Sequence, residues 1–134
     1  AGGSLSRARE IAGADRLQMR RTLLERTSRL SCREIFPLLE TAEDYARDRE
    51  TATDAVDMLK LFWRDILLFR AGSGEIANLD LQPLVRELSE RMSTEQILEK
   101  LERITVAGQA LARNVNPRLA LEVLFMDLET SGQV

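Results

Sequence analysis

Few residues in this chain can do chemistry, and the absences narrow the field first. The 134 residues contain no histidine, and Cys32 is the only cysteine. General acid–base and nucleophilic mechanisms most often recruit histidine, zinc sites need several thiolate or imidazole ligands, and one cysteine cannot close an internal disulfide. Cys32 beside Arg33 could be a reactive thiol; a small residue at a helix start is the plainer reading. Glu40, Glu43 and Asp44 cluster closely enough to suggest a divalent metal, although acidic residues at such spacing usually form a solvated helix face. The stretch "AGSGE", residues 71–75, is rich in small residues but lacks the Lys-Ser or Lys-Thr of a phosphate loop and does not lead straight into a helix. Trp63 and Tyr45 are isolated from the basic segment, so no base-stacking platform is indicated. The expectation is a chain with no catalytic residue, cofactor, metal or small-molecule substrate, which neither binds nor hydrolyses ATP.

Charge is distributed unevenly. Residues 1–33 hold Arg7, Arg9, Arg16, Arg20, Arg21, Arg26, Arg29 and Arg33 against Glu10, Asp15 and Glu25, so this segment is +5 and the remainder −8. A basic start on an acidic body suggests a contact surface for DNA or an acidic partner. The competing reading is a solvated helix face, because the arginines lie at many helical angles.

The elements that must position these residues read almost entirely as helix. Gly and Pro are few, and no stretch has the period-two alternation of a half-buried strand. Residues 2–13 suggest a short helix capped by Ser4 and stopped by Gly13. A longer helix is expected from Asp15 to about Leu30. Ser31 and Glu34 have capping-box spacing, with Pro37 moving the start toward Phe36. Further helices are predicted from about Thr51 to Ala71 before Gly72, from Pro83 to about Met92, from the Ser93/Gln96 capping box onward, and from Asn116-Pro117 to the chain's end. On the helix that Ser93 opens, Ile97, Leu101, Ile104, Gly108 and Leu111 share one face, with Gly108 open to close backbone approach. The sum is an all-α bundle of five or six helices. Chain length fits one domain, no apolar run approaches a membrane span, and the cytoplasm is the default location.

Two helices carry more apolar surface than one core can use. At 100° per residue, Leu121, Leu124, Phe125 and Leu128 occupy one arc of the last helix, while Leu119, Val123 and Met126 occupy another on the far side. Arg118, Glu122 and Glu129 form the strip between them. In "TDAVDMLKLFWRDILLFRAG", residues 53–72, Ala55, Leu59, Phe62, Trp63, Ile66 and Phe69 form a broad face, with Leu61 and Leu68 opposite among Asp57, Arg64 and Asp65. Burying a leucine is worth roughly 1.5–3 kcal/mol, so these outer residues are expected to be covered, by the same bundle or by another subunit. Leu61, Arg64, Asp65, Leu68, Leu119, Val123 and Met126 are therefore the candidate subunit interface. Arg64 and Asp65 read equally as a rim salt bridge or a satisfied buried pair.

The ordered set of motifs resembles one family. "NVNPRLALEVLFMDL" is similar to the closing helix of the C-terminal collar domain of the bacterial DNA polymerase III delta prime subunit. "LKLFWRDILLFRAG" resembles that family's Trp-Arg-Asp helix, "ANLD" its Asn-x-Asp loop, and "GGSLSRARE" the end of the lid domain that precedes the collar. The resemblance implies residues 1–13 as the end of that preceding domain and residues 14–134 as a collar domain. It implies a non-catalytic part of a clamp loader, the AAA+ machine that places the sliding clamp on primed DNA. The partners it implies are the gamma/tau and delta subunits, with DNA reached only through the assembled complex and no membrane contact. The collar domain of the gamma/tau subunit, which shares the fold, and a free-standing helical nucleic-acid-binding module are the alternatives.

Overall fold

The computed structural model describes the backbone of residues 2–129 and the side chains of residues 13–129. The expected Ser4 cap and the side chains of Arg7 and Arg9 lie outside the described residues. Six α-helices follow one another: α1 (Gly2–Ser28), α2 (Ile35–Tyr45), α3 (Arg49–Arg70), α4 (Gln82–Arg91), α5 (Thr94–Ala112) and α6 (Pro117–Asp127), with one 3-10 turn at Leu79–Leu81 before α4. No strand occurs among the described residues. The all-α bundle read from the periodicities is the observed architecture.

The long helix α3 is the axis of the bundle, with α4 and α5 packed closely along it and α1 also against it, while α6 lies between α2 and α5. Its inward face carries Ala55, Leu59, Phe62, Trp63 and Ile66, all buried. Trp63 stands edge-on to Phe62, with ring centroids 6.3 Å apart, an arrangement that the ring quadrupoles favour. Opposite it, Ile97, Ile104 and Leu111 of α5 and Leu121, Leu124 and Phe125 of α6 close the core.

Most helix ends form where local chemistry dictates. Asp48 caps α3 by accepting from the Thr51 amide. The Ser93/Gln96 capping box is complete in both directions. The Asn116 side chain accepts from the amides of Arg118 and Leu119, with Pro117 in the first turn. At the end of α3, Gly72 takes φ +89°, and its amide and that of Ser73 bond back to Phe69 and Leu68, the left-handed closure that glycine adopts without strain.

Three expectations fail for local reasons. Gly13 does not interrupt α1, which runs unbroken from Gly2 to Ser28; one glycine costs a helix only about 1 kcal/mol, and here its neighbours are alanines. The helix ends instead where Thr27 and Ser28 turn their hydroxyls onto the carbonyls of Leu23 and Glu25. The Ser31 capping box does not form either. A helix begun at Ser31 would set the Pro37 ring against a carbonyl four residues back; α2 starts at Ile35 with Pro37 in its first turn, and Ser31 Oγ accepts from the Arg33 amide. Gly108 faces a side chain rather than a backbone, since a methyl there would meet Val56 Cγ1 at an ordinary 3.6 Å.

Candidate functional site: an apolar groove between two helices

The candidate site starts with a turn. After α5, Asn114 adopts φ +64°, tolerated by asparagine better than by most residues. The Asn114 amide then reaches the Leu111 carbonyl and the Val115 amide the Ala110 carbonyl, which is the Schellman closure and draws Val115 against Ala110. Asn116 and Pro117 next restart the chain as α6. The result is an apolar groove of about 190 Å³ between α5 and α6, with Val106 and Ala110 on one wall, Leu119 and Val123 on the other, and Val115 at the turn. Ala107 and Ala120 keep the floor low, and Arg103 and Asp127 also line it.

The two arcs of α6 part as its angles demand. Leu121, Leu124, Phe125 and Leu128 are sealed in the core, whereas Leu119, Val123 and Met126 are 55%, 51% and 43% exposed. Leu119 and Val123 line the groove. Met126 does not, and its carbonyl lies 3.9 Å from Cys32 Sγ beside the start of α2. Val106 and Val115 also line the groove, and the helical angles of α3 and α6 gave no hint of either. A signal for Val106 lay on α5 itself: at 100° per residue it stands about 160° from Gly108, an apolar side chain well off the inward face.

On α3, Leu61 and Arg64 are exposed and Leu68 is partly buried. Asp65 is a correction to the proposed surface set. It is 2% exposed, and its carboxylate accepts from the Ala77 amide at 2.8 Å, the Asn78 amide at 2.8 Å and the Asn78 side chain at 2.7 Å. Neither reading of an Arg64–Asp65 pair holds; backbone amides satisfy the buried carboxylate, pinning the loop after α3 to that helix. The Trp-Arg-Asp helix and the Asn-x-Asp loop are thus halves of one contact.

The arginine-rich segment also looks inward. Arg16 pairs with Asp54 at 3.0 Å, Arg26 with Asp44 at 2.7 Å, and Arg20 and Arg21 both with Asp80 at 2.7 and 3.2 Å. Arg20 also donates to Asn78 Oδ1, joining α1 to the Asp65 contact. Partial burial raises the Asp80 carboxyl's pKa, but hydrogen bonds from Arg20 and Arg21 and the Arg20 charge outweigh this and hold it below its ordinary value. Among the described residues, four of the segment's arginines are thus held by carboxylates of the acidic body.

Cations from the body serve helix ends instead. Arg49 donates to the Leu111 and Val115 carbonyls at the end of α5, Arg70 to the Ser89 carbonyl near the end of α4, and Lys100 to the Asp127 carbonyl at the end of α6. Each sets a cation at the carbonyl-rich end of a helix, where the macrodipole favours positive charge. Cys32 is exposed in the turn before α2, and desolvation, followed by the Glu129 carboxylate, pushes its thiol up, away from the thiolate a nucleophile needs. Among the described residues no group of acidic, cysteine or histidine side chains is arranged to hold a metal, and no helix is long and apolar enough to cross a membrane.

A family model described as DNA polymerase III, delta subunit, C terminal matches residues 14–130. The chain belongs to that family. No curated protein and no solved structure matches it. As the C-terminal domain of a DNA polymerase III delta-family protein it is a non-catalytic, structural part of the replication complex, and it acts with other members of the clamp loader.

Proposed function

We propose that residues 14–134 are the collar domain of a delta prime-type clamp-loader subunit and that residues 1–13 end the domain before it. On this reading the domain holds its place in the AAA+ ring through its outer faces, against gamma/tau and delta subunits in the cytoplasm, and meets DNA only through the assembled complex. The observation that carries the proposal is the division of α6, whose inner arc fills the core while Leu119 and Val123 form an exposed apolar groove with Val106 and Val115. Four half-exposed aliphatic side chains along one groove favour a protein partner that removes them from water. Leu61, Arg64 and Leu68 on α3 and Met126 on α6 extend the proposed contact surface. The paired arginines of α1 weaken the nucleic-acid-binding alternative, because a guanidinium held by a carboxylate contributes less to phosphate binding.

The test is the double variant Leu119→Gln, Val123→Gln. It is expected to melt like the parent and to lose assembly with the other clamp-loader subunits in size-exclusion chromatography. A folded variant that still assembles normally would remove the proposal.

A further inference from the structure

The outer face of α5 suggests what kind of surface fills the groove. Glu95, Glu99 and Glu102 follow one another at spacings of four and three and continue the line of Val106, and all three are exposed. Like charges at these spacings repel along a helix. No close ion pair holds them: among the described residues none of the three has a cationic partner within 4 Å, and Lys100, although its charge is felt by Glu99, gives its ammonium to the Asp127 carbonyl at 2.6 Å. An apolar groove edged by Arg103 and Asp127 thus runs on into a stripe of three glutamates. On α3 exposed Leu61 has a mixed surround instead, with Lys60 and Arg64 beside it and Asp57 one turn earlier, all exposed.

We propose that the groove receives a helix of a neighbouring clamp-loader subunit whose apolar side chains are flanked by Lys or Arg, and that these cations lie along Glu95, Glu99 and Glu102. This rests on the reading that the α5–α6 surface meets another subunit, and it names the chemistry of that contact. Such a partner removes the groove from water and the repulsion from α5 together, whereas a purely apolar partner leaves the glutamates opposed.

The experiment compares three forms of the chain, each mixed with the remaining purified clamp-loader subunits over a series of salt concentrations. The forms are the parent, the triple variant Glu95→Gln, Glu99→Gln, Glu102→Gln, and the double glutamine variant of Leu119 and Val123. Glutamine suits a helix as well as glutamate does; circular dichroism checks folding, and Glu99→Gln alone replaces the triple variant if that is unfolded. The triple variant is expected to assemble about tenfold more weakly at low salt, with a flatter dependence on salt than the parent. Unchanged affinity and salt dependence in the triple variant, with assembly lost in the double variant, would overturn the charged partner and leave the proposed function standing. Normal assembly of the double variant would overturn both. Salt-sensitive self-association of the parent alone, abolished in the double variant, would make the occupant a second copy and overturn the inference.

Discussion

Phe125 and Val123 sit two residues apart on α6, yet Phe125 is fully enclosed while Val123 is half in water. Both are apolar, and both lie on a helix that Asn116 and Pro117 start and that the Lys100 ammonium helps to close. Only their angle about the helix axis differs. Hydrophobicity alone therefore does not tell core from contact surface; the neighbours do. On the inner side α6 meets the rest of the bundle, and on the outer side it meets α5 across a floor of alanines.

The sharpest way to break this comparison is at the inner face. Phe125→Ala is expected to cost about 3–5 kcal/mol, transfer and cavity terms together, read as a large fall in the midpoint of a urea or thermal melt. A loss no greater than that of an outer-face variant would show that the two arcs are not distinct. Second in size is Asp65→Ala, which strands the buried amide and side chain of Asn78 and the part-buried amide of Ala77 and is expected to cost about 2–3 kcal/mol. Hydrogen exchange should then accelerate first at Ala77 and Asn78, because the loop loses its anchor before the helices lose theirs.

Asp80→Asn acts at the surface and is expected to cost no more than about 1 kcal/mol near neutral pH. Its folded pKa is depressed, so its contribution is present above the unfolded value near 4 and fades as pH falls through the folded one. Melting curves of parent and variant should therefore converge on acidification; a difference that widens would contradict the assigned ion pairs. The smallest effect on stability belongs to the outer arc. Leu119→Gln with Val123→Gln should change it by no more than about 0.5 kcal/mol per site while removing assembly, and a large drop in melting temperature would show that the outer face is part of the core.

The sequence by itself determined whatever depends on residues within a turn or two of one another. The Ser93/Gln96 box and the Asn116-Pro117 start bind atoms two or three residues apart, and the arc of Leu121, Leu124, Phe125 and Leu128 follows from helical angle alone. The Ser31 box stays unformed because Pro37, six residues on, forbids the helix it would open, and the shift of the start toward Phe36 that Pro37 signals brings it within one residue of the observed Ile35. Which arc of α6 meets another helix, and which remains exposed, required the packed bundle. So did the fate of the charges: Arg26 finds Asp44 18 residues away, Arg20 finds Asp80 60 away, and Arg49 finds the end of α5 62 away. Asp65 reads as a rim carboxylate until the loop 13 residues later covers it with amides. The groove likewise needs α5 and α6 side by side with small residues between. Backbone sterics and hydrogen bonds within a turn act before the chain is compact, whereas long-range ion pairs, carbonyl caps and apolar clefts exist only once helices distant in sequence have become neighbours in space.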